Sequence, residues 1–459
     1  MLVEWNNEHA IGGTPSRTAA RSPRVCEDQS MDITDAAIGY WPSRWPGEDG
    51  GPRRTEIPRS GAGLGIGPGD RLEVVSRSAI VATMVVLRDP GEVYLLCHTG
   101  GPDAISWVER IHSETLEVLD RSPDLPGGKT WPGGLAAHAN GSIYVVFGRH
   151  VHRLTAALDV LASAELPRDR PYNSFVILPD GHLALKDFGG VLPAGIAMVA
   201  DDSCELLIVE PDALAVVGHV TIPEASIARL SADGNAVYVV GVDHLWRVHW
   251  DGAAATLDAE FHPRYRTIDG QTYGWDAVIT GGAAWFLDNG FGSENYAGTF
   301  RGHGVSAAPL HLVRVDLTTA DVTLTEICGL PDGIVANPPA VDISRGIAVG
   351  YDSANGVLAA FDLDASTGVV VGPRWSREQN HACHPILCPD TGELVTADHD
   401  GDRMMDQLVV LDIETGAELA RVDTGSPLQS VVFLAPGFDR DIYYCAFPTV
   451  ARIRIVSDL

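Results

Sequence analysis

Lysine is almost absent from this chain. Only two of its 32 basic residues are lysines, Lys129 and Lys186, and 61 acidic residues leave a formal net charge of −29. An acidic surface of this kind repels phosphate backbones and anionic lipid headgroups. We therefore expect neither a nucleic-acid partner nor a membrane partner.

Long apolar runs and common catalytic motifs are missing as well. No run of 18 apolar residues occurs, so we expect no membrane-spanning helix. The start, MLVEWNNEHA, lacks the basic and apolar regions of a secretory signal. Seven scattered cysteines, an odd number, are typical of reduced thiols in a cytoplasmic protein. The absence of G-x-S-x-G, H-E-x-x-H, P-loop and dinucleotide-binding motifs disfavours elbow-type hydrolases, zincins and nucleotide-binding enzymes.

Periodic patterning is missing from residues 1–70. This stretch is rich in Gly, Pro, Ser and Arg, as in RWPGEDGGPRR and SGAGLGIGPGD. Such composition favours extended chain over a packed core. We predict an extended arm or cover over residues 1–70, disordered in part, and one domain over residues 71–459.

The remainder of the chain repeats. From about residue 80, eight units each contain a short apolar strand, a turn with Gly or Asp, and a strand rich in β-branched and aromatic residues. Asn-Gly and Asp-Gly in such pairs indicate tight hairpins. A second hairpin follows each of the first seven units, and these hairpins recur at intervals of 39 to 67 residues. Four-stranded units of this period, with no helical periodicity, predict an all-β fold, a β-propeller.

The last unit shows how the ring closes. It has a hairpin and a third strand, ARIRIV, but no fourth strand before Leu459. An unpaired strand edge there would be exposed, so another part of the chain must cover it. The segment RLEVVS at 71–76 is the natural donor. We therefore predict an eight-bladed propeller closed by an N-terminal strand, with seven blades as the alternative.

The hairpins carry a resemblance to known proteins. VVLDIETGAELARV, for example, resembles the D-x-x-T-G repeats of quinoprotein-type and YVTN-type propellers, and the resemblance spans about 76–459. It implies the fold rather than the chemistry. Quinone-dependent dehydrogenases of this type also repeat a docking Trp at the blade edge, whereas only Trp375 follows such a hairpin here. This departure argues against quinone binding.

Polar side chains recur on one face of the predicted ring. The innermost strand of a propeller blade starts on the face where the second strand ends, so residues at both places converge on one funnel. Several strand starts carry amide or carboxylate oxygens, which Ca²⁺ prefers. We predict a divalent metal, Ca²⁺ first with Mn²⁺, Fe²⁺ or Zn²⁺ as alternatives, bound by Asn173, Asp276, Asn337 and Asn380. In this respect the ring is similar to calcium-dependent lactonases of the SMP-30 and paraoxonase type. The alternative is that these residues cap turns.

Histidines, lysines and aromatic residues complete the predicted funnel. Histidines fall in blades one, two and seven, which neighbour each other in a ring of eight, and imidazole can transfer protons near pH 7. His381 and His384 would lie on opposite faces of a regular strand and so would not chelate together. The predicted catalytic residues are His381, His399, Lys186 and Asp398. The predicted substrate-binding residues are Lys129, Trp131, Tyr172, Trp275, His98 and His150.

Three functions remain open on this basis. The first is an enzyme acting on a small molecule in the funnel, most simply a divalent-metal-dependent hydrolase, lactonase- or esterase-like, or a lyase. The second is a binding or scaffold propeller without catalysis. The third is an oxidoreductase that depends on a metal or a quinone. Insertions near 99–107, 189–203 and 289–308 are expected to cover the funnel.

Overall fold

The computed structural model describes residues 38–59, 63–187 and 203–457, except for the side chain of Asn173. These residues form eight antiparallel sheets and contain no α-helix; two 3-10 turns occur, at Glu48–Gly50 and Ser293–Asn295. No helix among them is long and apolar enough to cross a membrane. The predicted all-β, eight-bladed propeller is confirmed.

The ring is closed by the N-terminal strand β1 (Asp70–Ser78), and the sheets that follow it are numbered as blades 1 to 8. Blade 1 contains β2 (Ala82–Leu87), β3 (Val93–His98), β4 (Ala104–Ile111), β5 (Val118–Arg121) and β6 (Leu125–Gly128), and blade 2 contains β7 (Gly134–Ala137), β8 (Ile143–Phe147), β9 (His150–Leu154) and β10 (Val160–Glu165). Blade 3 contains β11 (Tyr172–Ile177), β12 (Leu183–Asp187), β13 (Cys204–Val209) and β14 (Val216–Ile222). Blade 4 contains β15 (Ser231–Asp233), β16 (Ala236–Val240), β17 (Leu245–Trp250) and β18 (Ala255–Leu257).

Blades 5 to 8 follow the same plan. Blade 5 contains β19 (Val278–Thr280), β20 (Ala283–Leu287), β21 (His311–Asp316) and β22 (Val322–Glu326), and blade 6 contains β23 (Ala340–Asp342), β24 (Ile347–Asp352), β25 (Val357–Leu363) and β26 (Val370–Glu378). Blade 7 contains β27 (Ile386–Cys388), β28 (Glu393–Asp400), β29 (Met405–Asp412) and β30 (Glu418–Asp423). Blade 8 contains β31 (Leu434–Pro436), β32 (Asp441–Ala446) and β33 (Thr449–Ser457), with β1 outside β33.

The seam between β1 and β33 is a full antiparallel pair. Its register runs from Asp70 opposite Ser457 to Ser78 opposite Thr449. This is the strand that blade 8 lacked in the sequence, and it covers the edge that would otherwise be exposed. The predicted closure by the N-terminal strand is therefore confirmed, with nine paired residues in place of the six predicted.

The inner strands of each blade are buried on both faces. All six residues of β2 and all six of β3 are buried, whereas all four residues of the outer strand β5 are exposed. Strands covered on both faces need apolar side chains at every position, which explains why they appear in the sequence as unbroken runs rather than alternating patterns.

Residues 38–59, here called the N-terminal segment, lie in the central channel. Backbone amides of the innermost strands of blades 1, 2, 4, 5 and 7 donate to its carbonyl oxygens; these amides belong to Leu87, Ala137, Ala232, Ile279 and Leu387. The free edge of an innermost strand faces the propeller axis, so a segment bonded to five such edges occupies that axis. Of the predicted arm, residues 1–37 and 60–62 lie outside the described residues.

Candidate functional site

A cavity of about 390 Å³ opens at the funnel face. Its lining comes from the positions where innermost strands start and second strands end, and from the insertion between β20 and β21. These are Trp131, Trp275, Asn337, His384 and Phe433 at strand starts, His98 at the end of β3, and Phe300 in the insertion. The topology thus places on one cavity several side chains that are far apart in sequence.

Aromatic rings form much of its wall. The ring centroids of Trp131 and Trp275 are 6.4 Å apart. The imidazole of His384 is stacked on Phe433 at 3.9 Å, and the guanidinium of Arg229 lies 4.8 Å from the centre of the same ring. Flat apolar walls with a few polar groups are typical of sites that bind small organic molecules.

His98 lines the cavity and is a neutral imidazole. Its Nδ1 lies 2.8 Å from the carbonyl oxygen of Thr99, which can only accept, so Nδ1 carries the proton. Burial lowers the pKa of His98 to about 4, so the ring is neutral at pH 7. The remaining nitrogen, Nε2, is buried and has no hydrogen-bond partner among the described residues. His98 therefore carries one unpaired acceptor next to the cavity.

Beneath the cavity, charged side chains of the N-terminal segment meet those of the blades. The guanidinium of Arg54 contacts Glu48 at 2.6 Å and Asp49 at 3.0 Å, and Arg229 contacts Glu48 at 3.1 Å. Asp276 accepts a hydrogen bond from the backbone amide of Arg229 at 2.6 Å. All these groups are buried, so their charges interact strongly.

Three further donor atoms converge beside these pairs. One atom each from Asp49, Glu56 and His384 lies within 4.8 Å of the other two. His384 Nδ1 is 2.9 Å from Asp49 Oδ1, at ion-pair distance, and neither atom is hydrogen-bonded to any other described residue. Both carboxylate oxygens of Glu56 are also buried without a partner there. Burial, together with nearby Asp49 and Asp276, raises the pKa of Glu56 well above its ordinary value.

The backbone at these acids adopts an unusual conformation. Asp49, Arg54 and Glu56 have φ values of 50°, 52° and 60°, in the left-handed region that residues other than glycine seldom adopt. Backbone strain of this kind persists where surrounding contacts hold it, and it concentrates at functional sites. Here the hydrogen bonds to the inner strands hold the segment in place.

The predicted metal ligands whose side chains are described each have contacts of their own. Asp276 is buried next to Arg229, and burial raises its pKa. Asn337 lines the cavity, but its amide donates to the carbonyl oxygens of Ala382 and Val431. The amide oxygen of Asn380 accepts from the Gln429 side chain. Asn173 is in β11, and its side chain lies outside the described part of the chain.

The predicted catalytic residues lie outside the cavity lining, in contacts of their own. His381 Nδ1 accepts from the Ala397 amide, and burial lowers the His381 pKa to about 3. The Lys186 ammonium is buried and donates to the carbonyl oxygens of Asp187 and Ser226. His399 Nδ1 lies 3.7 Å from Asp406, and Asp398 is paired with Arg421 at 2.8 Å.

The predicted substrate-binding residues divide into two groups. Trp131, Trp275 and His98 line the cavity. The others have partners elsewhere: Lys129 pairs with Asp169 at 3.0 Å, the Tyr172 hydroxyl donates to Glu205, and His150 Nδ1 lies 2.7 Å from the carbonyl oxygen of Gly127.

Asp49 and Glu56 were missed by the sequence reasoning, and His384 was named at the funnel without a role. The first two lie in the aperiodic N-terminal segment, where no strand pattern indicates which residues meet. The sequence offered one signal: the stretch 48–56 contains five charged residues among Gly and Pro, close to Trp45. The structure buries Trp45, so these charges belong to a packed segment rather than a solvated arm.

The sequence matches no protein-family model and no curated protein. Solved structures match its fold. BamB from Moraxella catarrhalis is 12% identical with a TM-score of 0.54, over 83% of this chain and 97% of that chain. The quinohemoprotein alcohol dehydrogenase from Comamonas testosteroni is 10% identical with a TM-score of 0.56, over 90% of this chain and 81% of that chain. Both are β-propellers with quinoprotein-type repeats, which confirms the expected resemblance at the level of fold.

Proposed function

We propose that this propeller is an enzyme that acts on a small molecule in the funnel cavity, as a divalent-metal-dependent hydrolase or lyase. One observation carries the proposal: the cavity has aromatic walls, and His384 in its lining reaches the buried carboxylate of Asp49 at 2.9 Å. A binding pocket that ends on buried ionisable groups combines recognition with groups able to move protons or hold a cation.

The walls define the class of substrate. A volume of about 390 Å³ admits a molecule of metabolite size. Trp131 and Trp275 offer flat apolar surface for a ring or an alkyl chain, and Arg229 contributes a positive charge beside them. We propose a substrate with an apolar or aromatic part and a carbonyl group, such as a lactone or an ester.

Each residue at the site has a separate task. His98 Nε2, the unpaired acceptor next to the cavity, would accept a hydrogen bond from a substrate or water that reaches it and so orient that molecule. Arg229, which also lines the cavity, would stabilise negative charge on the carbonyl oxygen. A divalent metal, when bound, would polarise the carbonyl group and lower the pKa of a coordinated water. The insertion that carries Phe300 lines the cavity, and its Tyr296 hydroxyl donates to the Gln429 carbonyl oxygen at 2.6 Å, which ties the insertion to the chain leading into blade 8.

Turnover of a substrate panel tests this function. The purified protein would be assayed with lactones, aryl esters and β-elimination substrates, with and without added Mn²⁺, Zn²⁺ and Ca²⁺. His98→Gln should lower kcat/KM by about 10-fold or more, because it replaces a ring acceptor at the cavity wall. His150→Gln is the matched control, since His150 begins β9 in the neighbouring blade 2 and lies outside the cavity lining. Binding without turnover across the panel, or equal loss in both variants, would contradict the proposal.

A further inference from the structure

We infer that Asp49, Glu56 and His384 form a binding site for one divalent transition-metal ion, where the N-terminal segment meets blade 7. The site differs from the ring of three asparagines and one aspartate expected from the sequence. It uses two carboxylates from the channel segment and one imidazole from the chain leading into β27.

The geometry of the donor atoms is the first argument. One donor atom from each residue lies within 4.8 Å of the others, and all three residues are buried. A cation at about 2.0–2.2 Å from each of three donors needs them within about 4.4 Å of one another, so a small shift of these side chains would accommodate it. Because the donors come from residues 49, 56 and 384, only the folded propeller brings them together.

The second argument is that these atoms have no other partner. Glu56 is fully buried, and neither of its carboxylate oxygens is hydrogen-bonded within the described chain. Asp49 Oδ1 and His384 Nδ1 lie 2.9 Å apart, at ion-pair distance, and neither is hydrogen-bonded to any other described residue. Buried polar atoms are nearly always paired, so the unpaired carboxylate of Glu56 beside this pair indicates a ligand.

Charge provides the third argument. The buried cluster contains four carboxyl groups, those of Glu48, Asp49, Glu56 and Asp276, but only two guanidinium groups, those of Arg54 and Arg229. Uncompensated buried charge is strongly unfavourable. One divalent cation would balance this difference without protonating any carboxylate.

The donor set also selects the metal. An imidazole nitrogen with two carboxylates suits Zn²⁺, Mn²⁺, Fe²⁺ or Co²⁺ better than Ca²⁺, which prefers six to eight oxygens. Three protein ligands leave at least one coordination position for water or substrate, as in catalytic zinc sites. Because His384 also lines the cavity, the site lies beside it; its role in turnover rests on the proposed function, whereas metal binding stands on the geometry alone.

Metal analysis of the full-length protein tests the site. The protein would be stripped with a chelator, loaded with Zn²⁺, Mn²⁺ or Co²⁺, and measured by elemental analysis, calorimetry and the visible spectrum of bound Co²⁺. We expect one ion per chain and a weak response to Ca²⁺. Glu56→Gln and Asp49→Asn should weaken binding by about 100-fold or more, because each removes a ligand while keeping the side-chain shape. Glu205→Gln, a buried glutamate of blade 3 bonded to Tyr172, is the matched control and should bind like the wild type.

Stability measurements keep the result interpretable. Without metal, Glu56→Gln should melt at or above the wild-type temperature, because it removes an unpaired buried carboxyl; with metal, only the wild type and Glu205→Gln should gain stability. No stoichiometric ion in the loaded wild type, or unchanged binding in Glu56→Gln, would overturn the site. Stoichiometric binding without turnover of any substrate would instead leave the site standing and overturn the proposed enzyme function.

Discussion

Replacing Arg54 tests whether the charges in the channel hold the N-terminal segment in place. Arg54 is fully buried and uses its whole guanidinium: Nε donates to the Leu230 carbonyl oxygen at 2.7 Å, and the two terminal nitrogens contact Glu48, Asp49 and Ser174 at 2.6 to 3.0 Å. Arg54→Met keeps most of the side-chain volume but removes the positive charge that balances the buried carboxylates of Glu48 and Asp49.

The expected cost follows from burial. Removing one partner of a buried ion pair costs about 3–5 kcal/mol, because the remaining charge is still desolvated. Arg53 provides the control, since its ion pair with Asp233 is 39% exposed on each side. Pairs of that kind contribute less than about 1 kcal/mol. With an unfolding entropy of about 2.1 cal/mol/K per residue, a chain of this size loses roughly 1 °C of melting temperature per kcal/mol.

Thermal melts of the two methionine variants would therefore differ by roughly 3 °C, with Arg54→Met lower. The difference should shrink as the pH falls, because protonation neutralises the carboxylates that Arg54 no longer balances. Urea unfolding followed by tryptophan fluorescence gives an independent measure. If the two variants melt alike at neutral pH, the channel charges do not hold the N-terminal segment in place.

Three further outcomes are expected. Gly148→Ala should destabilise the protein far more than Gly234→Ala in urea unfolding: both glycines have φ near 55°, but an added Cβ lies 2.4 Å from backbone at Gly148 and meets nothing within 4 Å at Gly234. The wild type should lose free energy of unfolding as the pH falls from 6.5 to about 4, because the unfolded chain binds a proton at His98 that the buried imidazole does not. His98→Gln should lose less over this range, and the same dependence of unfolding free energy on pH in both proteins would contradict this. Trp131→Ala and Trp275→Ala should each raise KM by roughly 10-fold with little change in kcat, since the rings supply apolar contact throughout the reaction; a loss confined to kcat would contradict that role.

The fold was predictable because each blade is specified locally. Hairpin turns such as Asp233-Gly234 and the apolar runs around them recur with one period, and a positive φ at Gly234 is what a tight turn needs. Closure required one more physical step, the argument that an unpaired edge in blade 8 must be covered. Both steps use interactions between neighbouring strands, which a repeating sequence shows directly.

The cavity was predictable in part and for the same reason. Propeller topology alone placed Trp131, Trp275 and His98 at one mouth. It did not indicate which polar side chains face the cavity and which bond to nearby backbone, as Asn337 and Lys186 do. Propeller topology could not predict the positions of Asp49 and Glu56, because the aperiodic segment that carries them contacts the ring through tertiary packing that has no local sequence pattern.

The N-terminal part of the chain contributes both to closure of the ring and to the proposed metal site. The N-terminal segment supplies Asp49 and Glu56 to the channel, and β1, which follows shortly after, completes blade 8. Between them, Glu393 of β28 accepts from the backbone amides of Gly65 and Ile66 at 2.9 and 2.7 Å, which fixes the connection to blade 7, the blade that presents His384. A ring opened at the β1 seam would therefore also lose a restraint on the segment that holds two of the three proposed ligands. An ion bound to all three would resist that opening, so metal binding and closure of the propeller should stabilise each other.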